Sequence, residues 1–406
     1  MPASPSTARA INDRRALQLL QEEGPLTAGQ LKTLTGLSRP SVADLVERLQ
    51  NAGLVAVVGE SGTERRGPNA RVYGIVAERA YLAALDVRTG SVGVGVADLL
   101  GRTLAEATLP IAGDVPTEAA VEAAVALLER TARTAGAVTL HSVGIGAPGL
   151  IDPATSELRD SSGLPAWHRR LVAVLQERLP AAVLVENETN LAAVAEQRLG
   201  AARGHDTFVY LWLGEGVGAA VVLDGKLRRG ASGGAGEIGF LPVPGTAGLP
   251  SATGCDGGFH SLVGGAAVCE LAATHGLVAA QDATAARRDD PAAAVTPARQ
   301  DGPAVITAAL EAGERAEPFL DALAERLALG AASVVAVLDP GCIVLGGDMG
   351  LAGGKTLAAR VEARLAELSP LHTEVRAGEL GGGAVLDGAL LIAREAAQDE
   401  LFAPAT

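Results

Sequence analysis

Residues 26–55 read LTAGQLKTLTGLSRPSVADLVERLQNAGLV, and the order of caps, turn and apolar positions in this stretch decides the fold of the amino-terminal part of the chain. Thr27, followed three residues later by Gln30, fits a capping box, in which each side chain satisfies the other residue's backbone N–H; this predicts a short helix through Leu34. Gly36 supplies a tight turn, and Ser38 is placed to cap a second helix. On that helix Val42, Leu45, Val46 and Leu49 fall at i, i+3, i+4 and i+7, a single stripe to bury. Arg39, Ser41, Asp44 and Arg48 are left facing outward. Two short helices about a Gly turn, with an exposed polar start to the second, make a helix-turn-helix whose second helix enters the major groove of DNA.

Working outward, Arg9 to Leu20 reads as a preceding helix with Ile11, Leu17 and Leu20 as its apolar positions. After Gly53, LVAVVGESGTERRGPNARVYGIV alternates apolar residues about a polar, Gly-rich tip, the pattern of a β-hairpin wing. Arg65, Arg66 and Arg71 gather on it, and Gly67 and Pro68 stiffen the tip. A basic tip beside a recognition helix suits phosphate or minor-groove contact. Ser38, Arg39, Ser41 and Arg48 on the helix, with Arg65, Arg66 and Arg71 on the wing, are therefore the candidate DNA-binding residues, and the expected partner is a double-stranded operator.

The whole chain has 406 residues, enough for two or three domains, with 48% apolar and 20% charged residues. Only 2% are aromatic, which argues against single-strand binding on stacking platforms. The start, MPASPSTARAINDRR, has no apolar stretch after its charges, and no run approaches a membrane span, so a soluble cytoplasmic protein is expected. Cys255, Cys269 and Cys342 are too few and too scattered for a disulfide framework. The net charge of −14 is unevenly placed: residues 1–77 hold nine basic and seven acidic residues, and the remainder holds 24 basic and 40 acidic ones. A small polyanion-facing module thus precedes an acidic body that phosphates would repel.

From Tyr81 the body begins with two strands joined at Arg88–Ser91, then a helix from Thr117 to Ala135, a strand ending in VGIGAPGLID, helical LVAVLQERL, the strand AAVLVEN and helical TNLAAVAEQRLG. A second strand-rich start, TFVYLWLGEGVGAAVVLDGKLRRG, repeats the opening near residue 208. Strand pairs with helical crossovers, occurring twice, predict an α/β body of two related lobes with a cleft between them. Residues 277–305, rich in Ala, Asp, Pro and Arg, read as an insertion, and a long helix from Ala316 to Val337 leads to the strand CIVLGG.

VGIGAPGLID, VENETNLAAVAE, LGEGVGAAVVLDGKLRRG, GGAGEIG and LDPGCIVLGG, in that order and spacing, resemble the ROK family (repressors, open reading frames and sugar kinases) of the sugar-kinase, actin-like superfamily, from about residue 80 to the end. The resemblance implies a winged helix-turn-helix over residues 1–77, a first α/β lobe over 78–186 and a second over 187–387, with the helix 388–406 returning to the first. Family kinases hold ATP phosphates on loops resembling D-x-G-x-T and G-T-G, where glycine lets backbone N–H groups approach. Here the loops read Asp86-Val87-Arg88-Thr89-Gly90 and Gly214-Glu215-Gly216, and the second aims a carboxylate at the phosphates. The kinases' catalytic Asn-Asp is Asn187-Glu188. Glu188 is also a candidate base, but it reads better as a sugar hydrogen-bond acceptor, and it can equally cap the following helix. No catalytic residue and no cofactor are expected.

The family's structural zinc set is replaced as well. Phe240 stands at its His position, and Ser251, Thr253 and Gly258 stand at its three Cys positions, with Cys255 out of register, so no metal is expected. What remains is the half of a pocket that holds a polyol. Pro148 and Gly149 shape a wall, Asn187 and Glu188 offer a donor and acceptors, Glu237 adds a carboxylate and Phe240 an apolar floor. His260 aligns with a sugar-binding Glu of the relatives and either contacts a hydroxyl or packs in a loop. The expectation is a regulator, a repressor of carbohydrate uptake or catabolism genes, whose operator affinity responds to a sugar in the cleft between the two lobes; a homodimer or homotetramer is expected. The alternatives are a sugar kinase and a regulator that has lost its effector.

Overall fold

The capping box forms as its spacing requires: Thr27 N–H donates to Gln30 Oε1 at 2.9 Å, and Gln30 N–H donates to Thr27 Oγ1 at 3.2 Å. It follows the two-residue strand β1 (Leu26–Thr27) and starts α2 (Ala28–Thr35), which succeeds α1 (Pro5–Glu22). Gly36 ends α2 with φ of 71°, a left-handed conformation that glycine takes without cost. Ser38 caps α3 (Arg39–Asn51), whose Val42, Leu45, Val46 and Leu49 are all buried. The computed structural model describes residues 5–61, 70–159, 164–251, 254–277 and 301–403.

Two details of this module differ from the sequence pattern. Ile11 is 59% exposed, because it lies about 240° round the helix from Leu17, whereas Ala16, Leu17, Leu19 and Leu20 form the buried side. Arg48, expected to face outward, is half-buried, and its Nε and Nη2 donate to the two carboxylate oxygens of Asp13 at 3.1 and 2.6 Å. The wing strands β2 (Val55–Ser61) and β3 (Ala70–Ile75) pair antiparallel with a bulge between Val57 and Gly59, and β1 pairs on the other side of β3. Residues 62–69, with Arg65, Arg66, Gly67 and Pro68, lie outside the described residues.

The chain divides into two compact units. One comprises Met1–Ile145, Pro165–Leu184 and Ala389–Thr406; the other comprises Gly146–Leu164 and Val185–Gly388. In the first unit β4 (Tyr81–Arg88), β5 (Ser91–Asp98) and β6 (Thr103–Pro110) form an antiparallel meander, continued by β7 (Ser142–Ala147) and β8 (Ala182–Asn187) in the order β6-β5-β4-β7-β8. Helices α4 (Thr117–Thr134) and α5 (Ala166–Arg178) pack together beside this sheet, and exposed pairs join them at Arg170–Glu118 and Arg178–Glu122.

The second unit opens with α6 (Glu188–Leu199) and the antiparallel strands β9 (Phe208–Leu213), β10 (Val217–Leu223) and β11 (Lys226–Arg228). Helices α7 (His260–Val263), α8 (Gly265–Thr274), α9 (Gly302–Ala312) and α10 (Glu317–Leu338) precede β12 (Cys342–Gly346), α11 (Gly347–Leu368) and β13 (Glu374–Ala377). The order β11-β10-β9-β12-β13, with β12 parallel to both neighbours, repeats the first sheet's order strand for strand. This is the duplication that the recurring strand pattern predicts. Of the expected insertion 277–305, residues 278–300 lie outside the described residues, and Asp301 caps α9, so 302–305 are helical. The core of this unit is built by α8, α9, α10 and α11 on β9 and β12, with Phe259, Phe319, Leu327 and Ile343 among its buried residues.

The last helix, α12 (Ala384–Leu401), begins in the second unit and continues in the first. Both ends of that passage are tight: a Cβ at Gly388 would lie 2.1 Å from the Leu191 carbonyl oxygen, and one at Gly144 would lie 2.2 Å from that of Ala389. Further on, Gln398 Nε2 donates to Gln21 Oε1 at 2.9 Å and to the Leu99 carbonyl at 3.2 Å, and Arg14 pairs with Asp399. Among the described residues no helix is long and apolar enough to cross a membrane.

One buried group makes this fold acid-sensitive. His168 on α5 is 1% exposed, edge-on to Trp167 at 4.3 Å, and neither ring nitrogen has a hydrogen-bond partner. Burial pushes its pKa down to about 4, eased only slightly by the nearby Arg88 backbone. A histidine whose folded pKa lies below the unfolded one destabilises as pH falls, because the unfolded chain takes up the proton first. Urea melts should lose stability between about pH 6.5 and pH 4, by roughly 2–3 kcal/mol in total. His168→Leu should lack that component; an unchanged pH profile in the variant would disprove the assignment.

Candidate functional site

On the winged helix, Ser38 and Ser41 occupy each other: Ser41 N–H donates to Ser38 Oγ at 3.3 Å, and the two hydroxyl oxygens lie 2.9 Å apart. Arg39 and Ser41 are exposed on the first turn of α3, and Arg71 is exposed on β3. Of the seven DNA-binding candidates, then, Arg39 and Arg71 present side chains outward, Ser41 is exposed with its hydroxyl against Ser38, Ser38 is engaged as a cap, Arg48 is engaged by Asp13, and Arg65 and Arg66 lie outside the described residues.

The seven sugar-binding candidates all belong to the second unit. Asn187 ends β8 and caps α6, its Oδ1 accepting from Thr189 N–H at 2.8 Å and Asn190 N–H at 3.3 Å. Its Nδ2 donates to the Gly149 carbonyl at 3.1 Å and to Glu188 Oε2 at 2.9 Å. Asn187 therefore straps the Pro148–Gly149 turn to the start of α6. Glu188 sits in the first helical turn, where the backbone dipole favours a carboxylate.

The contacts run on from that turn. Leu150 lies against Gly234, and a Cβ at Gly233 would come 2.0 Å from the Ile151 carbonyl oxygen. Gly236, at φ of 95°, would place a Cβ 1.9 Å from the Ala219 oxygen, and Ala219 N–H donates to Gly236 at 2.8 Å. This fixes the turn that presents Glu237. Its side chain is open to solvent on one side, yet partial burial pushes its carboxyl above the ordinary range. Phe240 follows, 39% exposed. His260 packs its Cβ toward Gly239 and its ring against Gly264, while Phe259 sits in the space left by Gly330 of α10. Pro148, Gly149, Asn187, Glu188, Glu237, Phe240 and His260 are thus linked through one arc of turns backed by β10.

Beneath the arc lies a residue that the motif reading passed over. Glu186 is buried, and it accepts from Asn187 N–H at 3.0 Å, Asn190 Nδ2 at 2.8 Å and Arg229 Nε at 2.6 Å. Glu196, also buried, accepts from Ala201, Glu379 and Leu380 N–H groups at 2.7, 2.8 and 3.0 Å. The available signal was a charged residue inside the apolar run AAVLVEN, followed at a distance by Arg229 in LRRG.

The two loops at the kinases' phosphate positions have the following surroundings. Arg88 Nε donates to the buried Asp86 carboxylate at 2.7 Å in the first unit. In the second unit, Gly214–Gly216 closes on itself by Gly214 N–H to the Gly216 carbonyl at 3.1 Å, with Glu215 exposed. The residues at the relatives' zinc positions do not fit a zinc ion: Phe240 and Gly258 carry no donor, and a Cβ at Gly258 would lie 2.4 Å from the Gly239 oxygen.

A ROK family model matches residues 82–396, and a MarR family model matches residues 11–67. The chain belongs to the ROK family, with a MarR-type winged helix ahead of its body. It is 25% identical over 250 residues to a xylose repressor of Bacillus subtilis, covering 59% of this chain and 62% of that protein, so it spans less than two thirds of that relative. A xylose repressor of Caldicellulosiruptor bescii is 23% identical over 83% of each chain, and a Thermotoga maritima glucokinase is 31% identical over 52% of this chain and 65% of its own. Among solved structures, a ROK family transcriptional regulator described as a homologue of the E. coli MLC protein shares the fold over 97% of this chain and 98% of its own, with a TM-score of 0.74 and 20% identity. A Streptomyces griseus ROK glucokinase, solved with glucose and AMPPNP, matches 78% of this chain and all of its own at a TM-score of 0.60 and 26% identity.

The strap at Asn187 can be checked directly. Asn187→Ala removes a helix cap and the bond to Gly149, and should destabilise the protein by about 1–2 kcal/mol in chemical denaturation. Asn187→Asp keeps the cap but turns a carboxylate oxygen toward Glu188 Oε2 and the Gly149 carbonyl, and should destabilise at least as much as the alanine.

Proposed function

We propose that this protein is a cytoplasmic, DNA-binding transcriptional regulator, a repressor of genes for carbohydrate uptake or catabolism, acting as a homodimer or homotetramer on a double-stranded operator. The carrying observation is the capped helix α3, with Arg39 and Ser41 exposed on its first turn, on the same chain as a ROK body. A helix N-terminus of this kind places two polar side chains toward base edges while the wing addresses phosphate. The relatives named as xylose repressors support the same reading.

The effector in this reading is a sugar held by the arc from Gly149 to His260. Glu237 and Glu188 accept from vicinal hydroxyls, and Phe240 faces the C–H surface of the ring. A ligand shifts a conformational equilibrium only by its differential affinity for the two states. The coupling element is α12: it packs against Leu191 of the helix that Asn187 caps, and it ends on α1 of the winged helix through Gln398–Gln21 and Asp399–Arg14. A reorientation of α6 by sugar is thereby passed to the DNA-binding module. Phosphoryl transfer is not part of this reading: Arg88 donates to Asp86, and the Gly214–Gly216 loop carries the acidic Glu215.

Fluorescence anisotropy with the protein's own upstream DNA, at two salt concentrations and with a panel of sugars, tests the whole reading. Specific, salt-sensitive binding that one sugar shifts is the expected result. Arg39→Ala should cost about 1–3 kcal/mol at one base position of the site. Glu237→Ala should abolish the sugar response and leave operator binding intact; a normal response would place the pocket elsewhere. Gln398→Ala combined with Asp399→Ala should retain both ligands and lose the coupling between them. Stoichiometric ATP binding with sugar-dependent turnover would instead establish the kinase reading.

A further inference from the structure

Three chain segments that are distant in sequence converge at the edge of the second unit's sheet where β9, β12 and β13 begin. Cys342 is the first residue of β12 and Glu374 the first of β13, and parallel pairing sets them directly opposite one another. His205 lies three residues before β9, whose Val209 pairs with Ile343. An imidazole nitrogen, the Cys342 Sγ and a Glu374 carboxylate oxygen lie within 4.8 Å of one another, the one such trio of His, Cys and acidic side chains among the described residues.

The arrangement has the marks of a site with an inner and an outer layer. Cys342 is fully buried and forms the floor, while His205 and Glu374 are partly exposed and leave an approach from solvent. Glu374 Oε1 accepts from Arg376 Nε at 2.8 Å, and Arg376 is itself anchored by Nη1 to the Ala201 carbonyl at 2.8 Å. That leaves Oε2 turned to His205 Nε2 at 3.9 Å. A carboxylate oriented through one oxygen by an outer partner, with the other presented beside an imidazole, is how metal ligands are held. The Arg376 guanidinium, held by Ala201 and Oε1, also lies within electrostatic reach of Cys342, so its charge opposes a cation there and a thiolate and a carboxylate are needed together to offset it.

We propose that His205, Cys342 and Glu374 bind a thiophilic divalent cation of the zinc class, with the fourth position left to water. The donor set combines thiolate, imidazole and carboxylate, which suits zinc better than magnesium or calcium. Tetrahedral zinc, with bonds of about 2.0–2.3 Å, holds its ligand atoms about 3.3–3.8 Å apart, so from separations of at most 4.8 Å the side chains need close by no more than about 1.5 Å. Binding forms the metal–sulfur bond and releases the thiol proton to solvent. The site shares no residue with the relatives' zinc positions, the sugar-binding arc or helix α3. It stands independently of the regulator reading.

The test uses the full chain, stripped of metal, titrated with Zn²⁺ against a chromophoric chelator and separately with Co²⁺. The wild type should take up one equivalent of Zn²⁺ with a rise in melting temperature, and Co²⁺ should give a thiolate-to-metal charge-transfer band with the intense d–d absorption of a four-coordinate ion. Cys342→Ser retains Cys255 and Cys269 and should lose the charge-transfer band. His205→Gln, at a partly exposed position, should leave the metal-free melting temperature unchanged and weaken Zn²⁺ by about tenfold or more. No stoichiometric uptake by the wild type, a band that persists in Cys342→Ser, or equal affinity in His205→Gln would each overturn the proposal.

Discussion

The carboxylate of Glu186 stands at the junction on which the candidate site rests. It is buried, and a buried carboxylate without partners would cost several kcal/mol or take up a proton. Here one oxygen receives the Asn187 backbone N–H and the Asn190 amide, and the other receives the Arg229 guanidinium. The end of β8, the first turn of α6 and the residues after β11 must therefore keep their mutual positions, or a charge is left unpaired. Asn187 adds the next link, because its amide ties the Gly149 turn to the same helix start.

Glycines provide the second constraint, and they act through proximity. Gly233 and Gly236 bring the Glu237 turn against the carbonyls of Ile151 and Ala219, closer than any side chain would allow. Gly388 and Gly144 do the same along α12, one against α6 and the other in β7. Tyr210 is buried across Gly346 and donates no room for a Cβ there, while its hydroxyl accepts from Gly347 N–H at 3.1 Å. These glycine-rich motifs are thus close-packing devices in this chain.

Much of the architecture was legible beforehand because it depends on local chemistry. The capping box at Thr27, the turn at Gly36 and the stripe from Val42 to Leu49 are short-range patterns, and each forms as read. The repeated strand order of the two sheets follows from the recurrence of the strand pattern near residue 208. Ile11 departed from expectation through its own angle round the helix from Leu17, a matter of spacing, and Arg48 for the complementary reason. A side chain's direction on a helix depends on what stands opposite, and for Arg48 that is Asp13, 35 residues away. Likewise, the sequence offered Asn187 and Glu188 as candidate sugar contacts and gave no sign of the strap from Asn187 to Gly149 or of its bond to Glu188.

What the sequence determined alone is the set of elements and the family to which they belong: caps, periodicities and glycine spacing are properties of neighbours along the chain. Only the tertiary structure decided how each polar group is used. It paired Glu186 with Arg229, clamped Glu196 onto the backbone at 379 and 380, buried His168 without a partner, and set His205, Cys342 and Glu374 side by side. These outcomes depend on residues tens to hundreds of positions apart, and the energy of a charge or a donor is set by its surroundings rather than by its place in the chain.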